Sequence, residues 1–255
     1  MSTIKLVDAN NIFRRRFEAG YDVRRILDWI NTDPLTTIWV WDGGGAKRRR
    51  LDLYPEYKSK RNKPGDDFWR FQDWFKTLLP HSRAISVEVP YYEADDVIAT
   101  MVQSPDLAAH NILIDSNDGD YLQLCDFTRV NMSQDIKLKG QVPKHEIRLY
   151  KTLVGDSSDF LPGIKLFGDK AWEALTQRQK AEWTTWLEAG DPKAMFPDCL
   201  KPSQHLWVAS NAQLLINLWH VAGFFEVPRD LINKHTVVGV YNPMKTDKML
   251  EEFFL

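Results

Sequence analysis

The sequence has only two cysteines, Cys125 and Cys199, in 255 residues. So few thiols argue against a disulfide framework and against a thiolate zinc site. The six histidines show no HxxxH or similar spacing, so a histidine metal site is not expected either. The glycines at 43–45 are not followed by the Gly-Lys-Ser/Thr of a phosphate-binding loop. Carboxylates, which are hard oxygen ligands, and cationic side chains therefore remain as the main candidates for catalytic or binding residues.

Long apolar runs and a signal peptide are also missing. We therefore expect a soluble, cytoplasmic protein without a membrane partner. The net charge of −2 lacks the global basic signature of a nucleic-acid binder. Basic residues are instead concentrated between positions 47 and 63, at Lys47, Arg48, Arg49, Arg50, Lys58, Lys60, Arg61 and Lys63. Such a run is usually a solvated face, and it also suits a phosphate backbone.

Hydrophobic patterning predicts strands at 4–7, 37–41 and 112–114, with helices at about 12–31, 66–79 and 93–103. Alternating strands and helices indicate an α/β fold with a parallel central sheet flanked by helices. After residue 146 the pattern becomes helix, Gly/Pro-containing loop and helix, followed by a largely helical remainder. We predict an α/β domain at 1–146 and a helical part at 147–255. The stretch "HTVVGVYNP" is left open as a short strand or an extended connection.

Acidic residues follow the predicted strands. Asp8 and Asp42 each end a strand, and Asp118 and Asp120 follow the third. The stretch "PYYEADDVIA" places Glu93, Asp95 and Asp96 at a helix start, where acidic residues often only complement the helix dipole. In parallel sheets, however, ligand sites lie beyond the carboxyl ends of the strands. Crowded carboxylates without His or Cys suit Mg²⁺ or Mn²⁺, and a pair of such ions can hydrolyse a phosphodiester.

The order of the motifs adds a family resemblance. The relevant stretches are "VDANNIFRR", "VWDGGG", "LYPEYKSKR", "YEADD", "SNDGDYLQL" and "VGDSSDFLPG". In this order, over residues from about 4 to 175, the sequence resembles the structure-specific 5′ nucleases. These include phage 5′→3′ exonucleases, flap endonucleases and the 5′-nuclease domain of bacterial DNA polymerase I. The resemblance implies a PIN-like nuclease domain at 1–146, followed by a helix-hairpin-helix region and a helical C-terminus.

The resemblance implies a metal-dependent 5′→3′ exonuclease or flap endonuclease that acts on DNA, and on RNA primers in hybrids. Its two Mg²⁺ or Mn²⁺ ions would yield products with 5′-phosphate and 3′-hydroxyl ends. The implied ligands of the first ion are Asp8, Asp42, Glu93, Asp95 and Asp118. Those of the second are Asp120, Asp156 and Asp159, with Asp118 shared and Asp96 supporting the direct ligands.

The same resemblance assigns the basic and aromatic residues. Lys58 and Arg61 would contact the scissile region and Tyr57 would stack near the opened end, while Arg15 (or Arg14) would contact phosphate. The implied DNA-binding residues are Lys58, Arg61, Arg48, Arg49, Gly163, Lys165, Gly168 and Lys170. The family's Gly-x-Gly hairpin, which grips duplex phosphates and K⁺, is altered because Leu166 replaces its first glycine. Phe160 replaces the usual Asn, a smaller change.

The short span from Lys58 to Glu93 leaves room for one helix. We therefore expect a small or open arch over the site, which favours exonuclease and short-flap or gap activity. The expected partners are DNA with free 5′ ends, flaps, nicks or gaps, and RNA–DNA hybrids, bound by a monomer in phage or bacterial replication and repair. Three alternatives stay open: a DNA-binding protein of the same fold with weak or lost catalysis, a ribonuclease of the wider fold, and a purely structural acidic cluster.

Overall fold

The structure, a computed structural model, describes residues 2–136 and 142–254. The chain divides into two compact units. The first consists of Met1–Ala46, Lys63–Ile136 and Glu226–Leu255. The second consists of Lys47–Asn62 and Lys137–Phe225. The basic segment 47–62 groups with the helical part of the chain and the C-terminal segment with the sheet, while the predicted domain boundary at 146/147 stays a prediction.

The first unit is built on a six-stranded sheet in the order β5-β4-β1-β2-β3-β6. The strands are β1 (Thr3–Asp8), β2 (Thr36–Asp42), β3 (Ile85–Val89), β4 (Asn111–Asp115), β5 (Val130–Met132) and β6 (Thr236–Val238). All neighbouring strands are parallel except β3 and β6. The predicted α/β fold with a parallel central sheet is confirmed. The central strand β1 pairs with β2 on one side and β4 on the other, so the carboxyl ends of these three strands share one edge.

One face of the sheet carries an aromatic core formed with α1 (Ala9–Glu18), α2 (Val23–Thr32) and α4 (Asp66–Leu78). Phe13 lies at its centre, with ring centroids 5.0 Å from Phe75 and 5.7 Å from Phe68. Trp39 and Trp41 project from alternate positions of β2 into the same cluster and are fully buried. The aromatic residues of α4 belong to this core, because Phe68 and Phe75 are buried and Phe71 and Trp74 pack against the cluster.

The predicted helix at 12–31 is wrong in detail, because it is two helices. The first helix ends at Glu18 and the second begins at Val23. Gly20 has φ of +77° between them, and the Asp22 side chain accepts a hydrogen bond from Arg25 N–H (2.7 Å) to start the second helix. Apolar periodicity continued across this break, so the pattern alone concealed it.

Two strands were missed from the sequence. Strand β3 follows α4 after a 3₁₀ turn at Leu79–His81, and β5 has only three residues. The open reading of "HTVVGVYNP" resolves as strand β6, antiparallel to β3 at the sheet edge. Short strands of this kind are stabilised by pairing rather than by their own sequence.

The remaining helices of the first unit are α5 (Ala94–Gln103), α10 (Arg229–Lys234) and α11 (Pro243–Phe254). Helix α5 packs against β1 and β2, and α10 against β3. No helix within residues 2–136 and 142–254 has the length and apolar composition of a membrane span.

The second unit is helical, with α3 (Arg48–Leu53), α6 (Ile147–Val154), α7 (Asp169–Glu173), α8 (Gln177–Ala189) and α9 (Pro202–Val221). Trp183, Trp186 and Trp219 are buried and form part of its core. Arg50 corrects the view of the basic run as uniformly solvated. It is 1% exposed and donates to the carbonyls of Val221 (3.3 Å) and Gly223 (3.1 Å).

The loop after α6 folds back on the helix through close backbone contacts. Gly155 has φ of +97°, and a Cβ there would lie 2.6 Å from Leu161 O. Gly163 has φ of +63°, and a Cβ there would lie 2.5 Å from Gly155 N. Asp156 and Leu161 exchange two backbone hydrogen bonds of 2.9 Å across the loop. Only glycine fits at positions 155 and 163.

Leu166 occupies a backbone conformation that favours glycine. Its φ is +63°, and its side chain is 76% exposed. The left-handed region costs an L residue roughly 1–2 kcal/mol, while glycine loses about 0.5–1 kcal/mol through the greater entropy of its unfolded chain. Little packing offsets this strain because the side chain is in solvent.

We expect Leu166→Gly to leave the free energy of unfolding unchanged or raise it by up to about 1 kcal/mol. The matched control is Leu206→Gly, which removes a side chain of 69% exposure from helix α9 and should cost about 1 kcal/mol. Urea unfolding of both variants checks this. Equal destabilisation by the two substitutions would contradict the strain at Leu166.

Candidate active site

Asp8 and Asp42 end adjacent strands and are held by the start of a helix. Asn11 N–H donates to Asp8 Oδ1 (3.3 Å) at the first turn of α1. Ala94 N–H, the first residue of α5, donates to Asp42 Oδ1 (2.8 Å). Asp42 N–H in turn donates to Asn10 Oδ1 (3.1 Å). The helix starts fix the carboxylates at the carboxyl edge of the sheet and place positive backbone ends beside them.

Asp118 joins this edge through a serine that sequence reasoning missed. Ser116 is fully buried, and its hydroxyl donates to Asp8 Oδ2 (3.0 Å). The same hydroxyl accepts a hydrogen bond from Asp118 N–H (3.1 Å), while Asp118 Oδ1 accepts one from Asp120 N–H (3.0 Å). Ser116 thus links the Asp8 carboxylate at the end of β1 to the backbone of Asp118 in the loop after β4. Its position directly after β4 was the available signal, because a short polar side chain there faces the same edge.

The acidic start of α5 has a capping role in addition to its charge. Asp96 is fully buried, and its Oδ2 accepts a hydrogen bond from Glu93 N–H (3.2 Å). Asp95 Oδ1 accepts one from Asp96 N–H (2.7 Å). Glu93 is 3% exposed. Asp96 therefore caps the start of α5, and its predicted roles, as a metal ligand or as support for the direct ligands, stay predictions.

The electrostatics of the edge show that these carboxylates are neighbours. Burial, together with the charges of Asp42 and Asp118, raises the pKa of Asp8 to about 7, although hydrogen bonds from Asn11 and Ser116 lower it. Both hydrogen-bond donors are neutral. A carboxylate that is buried among like charges favours its protonated form unless a cation neutralises the group.

Tyr121 lies beneath the same carboxylates and was also missed. It is 1% exposed. Burial raises its pKa well above the ordinary value, and the charges of Asp8, Asp95, Asp118 and Asp42 add to this. Its hydroxyl therefore stays protonated. No sequence pattern distinguishes this tyrosine from an ordinary core residue.

Asp156 and Asp159 belong to the second unit. Lys151 Nζ lies 2.5 Å from Asp156 Oδ2, and Arg61 Nη2 lies 2.8 Å from Asp159 Oδ1. Although burial opposes it, the charge of Lys151 together with hydrogen bonds from Lys151 and Ser158 lowers the pKa of Asp156. These two carboxylates, unlike Asp8, already face cations of the chain. Their role as metal ligands stays a prediction.

The basic segment of the second unit is arranged around the same loop. Lys58 N–H donates to Asp159 O (3.1 Å), and Lys58 Nζ lies 4.6 Å from the ring centroid of Tyr57. Tyr57 is 3% exposed, so its ring is covered where the predicted stacking role needs an open face. Arg48 and Arg49 are exposed on α3.

The remaining predicted contacts are distributed over both units. Arg15, on α1, is exposed and donates to Gln134 Oε1 (3.0 Å). In the altered hairpin, Leu166 O accepts a hydrogen bond from Gln204 Nε2 (2.9 Å) on α9. Three exposed residues flank it: Lys165, Gly168 and Lys170. Gly163 is buried in the loop turn.

Whether the site can hold a metal ion depends on which side chains could act as ligands. Within the described residues, no group of three or more His, Cys, Asp or Glu side chains is arranged to hold a metal ion. Mg²⁺, however, keeps several waters and typically uses one or two protein carboxylates. Asp8, with its crowded, buried carboxylate, and its neighbours Asp42 and Asp118 supply hard oxygen atoms and excess negative charge. The residues fit a hydrated divalent cation.

Comparisons with known proteins agree with this fold and edge. The family described as 5′-3′ exonuclease, N-terminal resolvase-like domain, matches residues 3–150. The chain therefore belongs to the 5′-3′ exonuclease family, which confirms the predicted resemblance. A 5′-3′ exonuclease of Mycoplasmopsis pulmonis is 34% identical over 162 residues, 59% of this chain and 54% of that protein. A thermostable DNA polymerase I of Thermus filiformis is 31% identical over 169 residues, 63% of this chain and 20% of that protein.

Solved structures show the same fold at lower identity. T5 5′-exonuclease has a TM-score of 0.63 at 20% identity, covering 98% of this chain and 99% of that one. A T5 protein co-crystallised with metal ions has a TM-score of 0.65 at 20% identity, covering 98% of each chain. The chain spans about half of the Mycoplasmopsis relative and about a fifth of the polymerase.

The raised pKa of Asp8 predicts a pH dependence of the metal-free chain. Because the folded-state pKa is above that of the unfolded chain, the folded state holds this proton more tightly. Its stabilising contribution is present below about pH 4 and is lost as pH rises to about 7. With EDTA present, Asp8→Asn should reduce the fall in melting temperature between pH 5 and pH 8.

The control is Asp115→Asn on β4, a buried carboxylate that accepts a hydrogen bond from Ser133 Oγ (2.5 Å). It should keep the pH dependence of the parent chain. Thermal unfolding across the pH series checks both variants. The same slope for the parent, Asp8→Asn and Asp115→Asn would contradict the crowded environment of Asp8.

Proposed function

We propose that the chain hydrolyses phosphodiester bonds in DNA at free 5′ ends, flaps, nicks or gaps, in the presence of Mg²⁺ or Mn²⁺. Membership of the 5′-3′ exonuclease family supports the reaction class. The observation that carries the proposal is the buried Asp8 carboxylate with Asp42 and Asp118 as charged neighbours. Such a cluster requires a counter-charge, and a divalent cation is the one that also serves phosphodiester chemistry.

The metal site would use the carboxylates at the carboxyl edge of the sheet. Asp8, Asp42 and Asp118 would be ligands, directly or through water, with Ser116 orienting two of them. When bound, the cations would supply a nucleophile at neutral pH and stabilise charge on the phosphate oxygens. The number of ions, predicted as two, stays a prediction, as do the ligand roles of Glu93, Asp95 and Asp120.

The cationic residues would bind the phosphate backbone. Lys58 and Arg61 lie on one segment of the second unit, tied to Asp159 by hydrogen bonds of 3.1 and 2.8 Å. They would stabilise negative charge that develops on the scissile phosphate. Arg48, Arg49 and Arg15 are exposed and would contact backbone phosphates with charge-assisted hydrogen bonds.

The hairpin would bind duplex DNA through backbone and lysine contacts. Leu166 keeps the left-handed φ that the family glycine would adopt, so the turn survives the substitution. Its 76% exposed side chain extends where a phosphate would need to approach the backbone closely. A weakened clamp, helped by Lys165 and Lys170, is therefore proposed. K⁺ binding at this hairpin and cleavage of RNA in hybrids stay predictions.

Solved relatives carry names that fit this proposal. A T5 flap endonuclease was crystallised as a pseudo-enzyme–product complex with DNA and metal ions, and its TM-score to this chain is 0.59. Its 20% identity shows the fold alone. The alternative function, DNA binding with weak or lost catalysis, has the same fold and is separated from the proposal only by an activity measurement.

Cleavage of end-labelled nicked and 5′-flapped duplexes tests the proposal. The parent chain should release 5′ products with Mg²⁺ and none with EDTA. Asp118→Asn should lose on the order of 100-fold or more of this activity, because it removes charge from the proposed metal site. The control Asp230→Asn changes an exposed carboxylate on α10 and should cleave like the parent.

Two further outcomes decide between the alternatives. DNA binding without cleavage by the parent chain would favour the binding-protein function. Equal cleavage by the parent and Asp118→Asn would contradict the proposed metal site. In the same assay, a long flap blocked at its 5′ end tests the small arch, since a site without a threading requirement should still cut it.

A further inference from the structure

The loop at Gly155–Gly163 contains two acidic side chains that each face a cation of the same unit. Lys151 Nζ lies 2.5 Å from Asp156 Oδ2, with side chains 14% and 12% exposed. Arg61 Nη2 lies 2.8 Å from Asp159 Oδ1. Arg61 is on the exposed basic segment, whereas Lys151 is on α6 and is shielded from solvent. Lys151 is therefore the less expected partner.

Asp156 has contacts at both carboxylate oxygens. Ser158 donates to Oδ1 twice, from N–H (2.8 Å) and from its hydroxyl (2.7 Å). Lys151 takes Oδ2. A carboxylate with this set of donors is neutralised and hydrogen-bonded without an external cation.

Backbone hydrogen bonds hold Lys151 and Asp156 close together. Lys151 lies in the last turn of α6, and its carbonyl accepts a hydrogen bond from Gly155 N–H (3.1 Å). The turn at Gly155, which has a positive φ, and the bridge between Asp156 and Leu161 then hold the Asp156 carboxylate beside α6. The pair does not depend on a flexible loop for its geometry.

Asp8 in the first unit provides the contrast. Its hydrogen-bond donors, Asn11 N–H and the Ser116 hydroxyl, are neutral. Its charged neighbours are Asp42 and Asp118. Asp8 is therefore held by neutral donors, whereas Asp156 faces an ammonium group of the chain.

We propose that Lys151 is the resident counter-ion of Asp156 and competes with divalent cations for that carboxylate. This inference rests on the proposed function and on the predicted role of Asp156 as a metal ligand. A cation that binds at this loop must displace the ammonium group of Lys151, so the loop binds divalent cations more weakly than its carboxylate count implies.

The test measures Mn²⁺ binding to the full chain without DNA, by electron paramagnetic resonance of free Mn²⁺. Lys151→Met removes the ammonium and keeps the length of the side chain. It should gain Mn²⁺ binding, by a new class of site or by tightening on the order of tenfold. In Lys151→Met with Asp156→Asn this gain should vanish, because the freed carboxylate is absent.

A second buried pair in the same unit provides the control. Lys180 Nζ lies 2.7 Å from Glu146 Oε2, with side chains 12% and 5% exposed. Lys180→Met frees an equally buried carboxylate outside the loop and should bind Mn²⁺ like the parent chain. Melting temperatures in EDTA should fall for both lysine variants, since each leaves a buried charge without its partner.

Unchanged Mn²⁺ binding by Lys151→Met would overturn the proposal and make the pair a structural tie between α6 and its loop. A gain of equal size in Lys180→Met, or one that persists with Asp156→Asn, would overturn it as well. If Lys151→Met does not fold, Lys151→Gln, which keeps a neutral donor, gives the same comparison. Mn²⁺ binding and cleavage by Asp118→Asn report separately on the proposed function, because that residue lies in the first unit.

Discussion

Repulsion among buried carboxylates is the constraint on which the first unit depends. Asp8 is 9% exposed, and Asp42 and Asp118 are its charged neighbours. Burial of like charges disfavours ionisation and costs folding free energy. The chain offsets part of this cost with backbone N–H groups at the starts of α1 and α5 and after Asp118. These donors orient the carboxylates at the edge of the sheet.

The two units solve the same electrostatic problem differently. In the second unit, Lys151 and Arg61 neutralise Asp156 and Asp159 directly. In the first, neutral donors hold Asp8 and its pKa is raised to about 7. A protein that binds a divalent cation needs carboxylates whose charge is not already balanced. Asp8 therefore gains more from a bound cation than Asp156 does.

The parallel sheet and its acidic edge were predictable because short stretches of the sequence indicate them. Strands β1, β2 and β4 are apolar runs that end in Asp8, Asp42 and Asp115, and parallel topology places their ends together. Strand β3 was missed although a 3₁₀ turn at Leu79–His81 separates it from α4 and its residues alternate between apolar and polar. The break at Gly20 was hidden by apolar periodicity that continued on both sides.

The contacts within the candidate site were less predictable than its residues. Nothing in the sequence indicates that Ser116 bridges two strands, that Tyr121 lies under four carboxylates, or that Arg50 is buried among carbonyls. These contacts depend on tertiary packing between residues far apart in the chain. The motif order identified the acidic residues, but the separation of Asp156 and Asp159 into a second unit with their own cations required the structure.

The central claim, that a divalent cation relieves the crowding of Asp8, is tested most directly by proton release. Titration calorimetry with Mg²⁺ near pH 6.5, in buffers of different ionisation enthalpy, counts the protons released on binding. The account predicts release approaching one proton, since cation binding lowers the pKa of Asp8 from about 7, and little release at about pH 8.5. Absence of Mg²⁺ binding, or binding with the same proton release at both pH values, would contradict it.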